Sequence, residues 1–134
     1  MSGKVFLDSN ILIYSRSEEA WKRDCCMRAI YDNNCCVSTQ VLNELTNVLL
    51  KWKMSKKIIE QAIDEICLTC EVKIINEATI KRGLTINERY GYSFYDSLIL
   101  AAALEANCEK VFSEDMQDGQ VIDGKLTIIN IFNR

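Results

Sequence analysis

A chain of 134 residues is long enough for one hydrophobic core, and 49% apolar against 26% charged residues is a globular balance, not a disordered one. The formal net charge of −3 excludes binding to nucleic acid by bulk electrostatics alone, so such a substrate would need a local basic patch and a cation to mask acidic groups. Histidine is absent, and the five glycines form no phosphate-cradling loop. Imidazole-based nucleophilic and RNA-cleaving pairs, His-ligated zinc, P-loops and dinucleotide fingerprints are thereby removed.

Lys4 precedes Val5-Phe6-Leu7, an unalternated apolar run that suits a strand covered on both faces. One lysine and so few apolar residues make no secretion signal, and no apolar run reaches the roughly 18 residues of a membrane span. The expectation is a cytoplasmic, single-domain protein over residues 1–134 with no membrane association. Asp8 closes the first strand, and a short helical turn follows over 9–14. A helix over 18–31 has Trp21, Cys25 and Ile30 as inward candidates. Asp32-Asn33-Asn34 is a turn, residues 35–37 a short strand, and Ser38 or Thr39 a cap. The next helix, about 40–51, carries the stripe Val41, Leu42, Leu45, Val48, Leu49 and Trp52, with Glu44 at its edge.

Ser55 caps another helix with Ile58, Ile59, Ala62, Ile63 and Ile66 facing inward. Residues 72–75 are a weak strand. A helix over 78–89 contributes Ile80, Leu84 and Ile86. Ser93-Phe94-Tyr95-Asp96 opens a helix that is apolar throughout 98–104, hence buried on most faces. A strand over 110–113, a loop over 114–119 and a strand over 126–129 complete the chain. Strands alternating with helices imply an α/β protein with a parallel sheet between helices. The seven cysteines (25, 26, 35, 36, 67, 70 and 108) read as reduced, mostly buried thiols. Cys67-Leu68-Thr69-Cys70 lacks a second pair for zinc and closes a helix instead of opening one, so core packing explains it best.

Without histidine, the chemistry falls to carboxylates, and carboxylates at neutral pH suggest a hard cation. Asp8 and Asp115 both follow apolar strands, at the sheet edge where open α/β folds bind ligands. Aspartate is common after strands, so neither alone is informative. Asp96 lies three residues after Ser93, where a capping box and the helix dipole would also favour it. Glu44 in isolation reads as an exposed helix residue. Lys51, Lys53, Lys56 and Lys57 cluster around Trp52 as a solvated loop, and Arg16, Arg23 and Arg89 are further cations.

Taken together, V-F-L-D-S-N (5–10), V-L-N-E-L (41–45), S-F-Y-D-S-L-I-L-A-A-A (93–103) and V-F-S-E-D-M-Q-D-G (111–119) resemble a PIN domain, most of all the VapC-type toxins of bacterial toxin–antitoxin pairs. The resemblance spans nearly the whole chain. It implies a three-layer α/β/α sandwich with a five-stranded parallel sheet in the order 3-2-1-4-5. It implies that Asp8, Glu44, Asp96 and Asp115 form one catalytic pocket for Mg²⁺ or Mn²⁺, with Asn10 and Ser113 orienting. Asp118, where relatives vary, is a fifth candidate ligand. The implied activity is hydrolysis of structured RNA such as tRNA, leaving a 5′-phosphate and a 3′-hydroxyl, with no histidine required. Arg16, Lys51, Lys53 and Arg89 are the candidate phosphate contacts. A homodimer and a cognate antitoxin are the implied partners.

Three rivals stand beside this reading. A haloacid dehalogenase-type phosphatase needs a second Asp where Asn10 stands, and a response-regulator receiver needs an acidic pair and a late lysine that find no convincing match. A non-catalytic PIN-like scaffold binding RNA or protein should lack one of the four acids, and all four are present. A housekeeping RNase without a toxin role is not distinguished from a toxin.

Overall fold

The computed structural model describes residues 3–133. In chain order the elements are β1 (Lys4–Leu7), α1 (Ser9–Tyr14), α2 (Ala20–Tyr31), β2 (Cys35–Ser38), α3 (Thr39–Lys51), α4 (Lys56–Thr69), β3 (Glu71–Lys73), α5 (Glu77–Tyr90), α6 (Phe94–Glu105), β4 (Cys108–Phe112), β5 (Val121–Ile122) and β6 (Leu126–Ile129). The sheet runs β3-β2-β1-β4-β6-β5. Four pairings are parallel, with β1 central between β2 and β4. Helices flank this mostly parallel sheet, as the strand–helix alternation requires.

The strand count departs from expectation. The sheet has six strands, because Val121-Ile122 pairs antiparallel with β6. The reason is local: Asp123 (φ 52°) and Gly124 (φ 67°) both adopt the left-handed conformation at the centre of a tight turn, closed by the Lys125 N–H donating to the Ile122 carbonyl (3.0 Å). Ile122 is fully buried and rewards the closure. Without β5, the order is the expected one.

Central strands bury both faces, which is why their sequences do not alternate. Val5, Phe6, Leu7, Val37, Val111 and Ile128 meet Val41, Leu45 and Leu49 of α3 and the apolar body of α6 in one core. Every residue of α6 from Ser97 to Leu104 is buried. Side chains set the helix starts: Ser38, Ser55 and Ser93 accept from the N–H groups of Val41, Ile58 and Asp96, and Asn76 forms a capping box with Thr79. Gly91 (φ 79°) ends α5.

Several inward assignments fail at the periphery. Trp21, Trp52, Ile58, Ile80 and Leu84 are exposed. Trp21 instead packs edge-on against Phe132 with ring centroids 6.0 Å apart. All seven cysteines are free; Cys67 is exposed, while Cys70 caps α4 from a buried position. No helix among the described residues is long and apolar enough to cross a membrane.

Candidate active site

Three parallel strands end together at one edge. The Asp8 N–H donates to the Phe112 carbonyl (3.0 Å), and the Ser113 N–H donates to the Ile129 carbonyl (3.0 Å). The residues just beyond β1, β4 and β6 are thus tethered in a row. Asp8 is 4% exposed, yet both its oxygens are held. The Ser9 N–H donates to Oδ1 at 2.7 Å, so Asp8 also caps α1, and the Ser113 hydroxyl donates to Oδ2 at 2.8 Å. The Ser113 Oγ in turn accepts from the Asp115 N–H at 3.2 Å. Asn10 donates from Nδ2 to Asp115 Oδ2 (3.2 Å) and accepts from the Glu114 N–H (3.4 Å). Ser113 therefore bridges the first acid to the fourth, and Asn10 ties the fourth to α1.

Helices supply the other two acids. Glu44 lies one and a half turns into α3, and Asp96 sits in the first turn of α6, where Ser93 Oγ accepts from its N–H. The four carboxylates sense one another. Burial pushes Asp8 up to about 6 despite its hydrogen bonds to Ser113 and Ser9, and Glu44 and Asp96 push it further. Burial also raises Glu44, offset partly by the Ser9 and Gln40 side chains and reinforced by Asp96 and Asp115. Asp96 is raised by burial and by Asp115. Mutual repulsion of this kind marks a site that a cation would stabilise.

The fifth candidate does not join them. Asp118 Oδ1 accepts from the Asn130 N–H (2.8 Å) and Oδ2 from Asn133 Nδ2 (2.9 Å), so its carboxylate braces the turn after β6. The phosphate candidates are also scattered. Arg16 pairs with Glu65 (3.3 Å) and Arg89 with Asp123 (3.0 Å). Lys51 ends α3, about 10 Å along the helix beyond Glu44, and Lys53 (φ 63°) lies in the turn that follows. A cavity of about 210 Å³ between α1, α2 and α4 is lined by Leu12, Arg16, Met27, Ile30 and Ile66 but by none of the four acids.

Two features went unread in the sequence. Ser9 touches both Asp8 and the surroundings of Glu44, and Gln40 stands beside Glu44. A second cluster pins the loop after β4: Lys22 Nζ lies 2.8 Å from Glu114 Oε2, the Tyr14 hydroxyl donates to Glu114 Oε1 (2.7 Å), and Lys22 sits 4.2 Å from the Tyr14 ring centre. Lys22 holds the Glu114 carboxyl below its ordinary range and keeps it ionised.

Among the described residues no three acidic or thiol side chains close into a ready-made metal cage. The donor set still fits a hard divalent cation. It is all oxygen, and Glu44 Oε1 and Gln40 Oε1 are buried acceptors without a donor. Mg²⁺ keeps several waters and takes only one or two protein carboxylates, which suits acids that converge without touching.

The PIN domain family model matches residues 5–117, and the chain belongs to that family. Its fold resembles those of VapC-type toxins. A toxin–antitoxin complex from Klebsiella pneumoniae superposes with a TM-score of 0.72 at 19% identity, covering 97% of this chain and 99% of that one. The Mycobacterium tuberculosis toxin VapC20, described as cleaving the sarcin–ricin loop, gives 0.66 at 16% identity over 83% of this chain and 91% of its own. VapBC2 of Rickettsia felis, bound to a fragment of its promoter DNA, gives 0.64 at 18% identity over 95% and 99%. No curated protein sequence matches the chain.

Proposed function

We propose that this PIN domain is an Mg²⁺- or Mn²⁺-dependent endoribonuclease acting on structured RNA, and that it is the toxin of a toxin–antitoxin pair. The observation that carries the reading is the convergence of Asp8, Glu44, Asp96 and Asp115 into one set of mutually repelling carboxylates at the carboxyl edge of the sheet. Asp8, Glu44, Asp96 and Asp115 would hold the cation, which would supply positive charge for the phosphodiester oxygens and lower the pKa of the attacking water. Asp8 is presented in one orientation because Ser9 and Ser113 occupy its two oxygens. Asn10 keeps Asp115 turned toward the same space.

The toxin role and the antitoxin are supported by the fold's likeness to partners in such complexes. An exposed apolar strip beside the α1–α2–α4 hollow, with Met27 and Tyr31, offers a seat for an antitoxin helix. A homodimer in the cytoplasm accompanies this reading. A tRNA is the first substrate to try, beside a sarcin–ricin-type hairpin. Phosphate contacts by Lys51, Lys53, Arg16 or Arg89 can be told apart, since losing a true contact flattens the salt dependence of RNA binding.

The test incubates the chain with end-labelled tRNA and hairpin RNA in Mg²⁺, Mn²⁺ or EDTA, with Asp8→Asn in parallel. Discrete fragments with 5′-phosphates, absent in EDTA and with the variant, are the expected result. Equal cleavage by Asp8→Asn overturns the reading.

A further inference from the structure

Gln40 stands one helical turn before Glu44 on α3, so the two side chains leave the same face. It is 9% exposed, among the few buried polar residues of the molecule. Its Nε2 donates to the Tyr95 carbonyl at 3.2 Å. A carbonyl can only accept, so this bond fixes which way the amide points and leaves Oε1 as the acceptor. That Oε1 is buried and meets no donor, and Glu44 Oε1 is in the same state. An unmet buried acceptor is costly, and an apolar side chain of similar volume would fill the space without it. Apolar packing therefore does not explain a glutamine here, and the same side chain also favours the charge of Glu44. Tyr95 immediately precedes Asp96, so the amide also ties α3 to the mouth of α6 and sets Glu44 against Asp96.

We infer that Gln40 is a positioning residue of the acidic site: its amide N–H ties α3 to α6, and its carbonyl oxygen accepts a hydrogen bond from the hydration shell of the divalent cation held by the acids. The inference rests on the metal-dependent nuclease reading above. It adds a neutral oxygen that orients water without adding a fifth negative charge to four that already repel. Outer-shell partners of this kind govern metal affinity and activity by about tenfold or more.

The experiment titrates the full chain with Mn²⁺ by calorimetry, comparing wild type, Gln40→Met, Gln40→Glu and Asp8→Asn, with RNA cleavage and melting curves alongside. Gln40→Met removes donor and acceptor, and Mn²⁺ affinity should fall about tenfold. Its kcat should drop while KM for RNA stays near wild type. Gln40→Glu breaks the tie to Tyr95 but keeps an oxygen acceptor, so Mn²⁺ should bind at least as tightly as to wild type. Wild-type Mn²⁺ affinity in Gln40→Met overturns the inference. So does an equal loss in both variants, which would leave only a structural tie. If Gln40→Met does not fold, Gln40→Glu decides: retained affinity supports the acceptor role and lost affinity overturns it. A wild type that neither binds Mn²⁺ nor cuts RNA sinks the nuclease reading and this inference together. A wild type that does both, matched by Gln40→Met, sinks this inference alone.

Discussion

Asp8 shows how function and stability oppose each other at single residues. Its folded pKa of about 6 lies above the ordinary aspartate value of 3.8. A raised carboxyl pKa means that the folded state binds the proton more tightly, so ionisation destabilises the fold. The penalty is absent below pH 3.8, grows between there and 6, and is complete above. A rise of about two pH units corresponds to about 3 kcal/mol. In EDTA, urea denaturation should therefore show Asp8→Asn equal to wild type near pH 4 and more stable by about 3 kcal/mol at pH 7, while RNA cleavage is lost; a variant less stable at pH 7 contradicts this. Ser113→Ala should behave in the opposite sense. It removes the fully buried hydroxyl between Asp8 Oδ2 and the Asp115 N–H, so denaturation should show a loss of about 1–3 kcal/mol together with reduced cleavage. Asp8 was legible beside a strand end that the sequence marks, whereas Asn10 and Ser113 were singled out by the resemblance to PIN domains. Gln40 was not, because its meaning depends on a carbonyl 55 residues away. Asp118 engages Asn130 and Asn133, turn partners that come later in the chain and leave no local pattern.

At the scale of elements, amphipathic stripes located the helices but overstated their burial. The cores of α3 and α6 were correct, since Val41, Leu45 and Leu49 and the run to Leu104 face the sheet. Peripheral helices bury less: Ile58 of α4 and Ile80 and Leu84 of α5 lie outside the seam. The missed β5 was written in the sequence, since Asp-Gly between Val121-Ile122 and Leu126 is a hairpin signal. Reading the chain as strand–helix alternation passes over a strand of two residues. α5 packs against α6, and Gly83 faces Leu98 across that contact. A Cβ there would lie 3.4 Å from the Leu98 Cα, which is ordinary contact. Gly83→Ala should thus gain up to about 1 kcal/mol from helix propensity and raise the melting temperature. Gly83→Leu must push the Leu98 backbone, and a loss of about 1–3 kcal/mol with reduced cleavage is expected. Equal melting temperatures for the two variants would contradict close packing at this point.

Over the whole molecule, the order of strands converts separated residues into one site. Parallel strands put every carboxyl end on the same edge, so positions 8, 44, 96 and 115 converge although 106 residues of chain lie between first and last. The parallel sheet was legible from the alternation of strands and helices, and the resemblance to PIN domains supplied what spacing alone could not: the strand order, and that Glu44, on a helix, belongs with strand-end aspartates. A net charge of −3 makes the site repel RNA unless a cation occupies it. Removing the metal should therefore abolish both RNA binding at the acids and cleavage, while leaving the fold intact. On this reading the four acids act as one cation-binding unit. The most direct test is calorimetric titration of Mn²⁺ at pH 7.5 into wild type, Asp8→Asn, Glu44→Gln, Asp96→Asn and Asp115→Asn, with a melting curve for each. Each single substitution should weaken Mn²⁺ about tenfold or more without lowering the melting temperature. Wild-type affinity in all four variants, or no measurable binding to the wild type, would contradict the account.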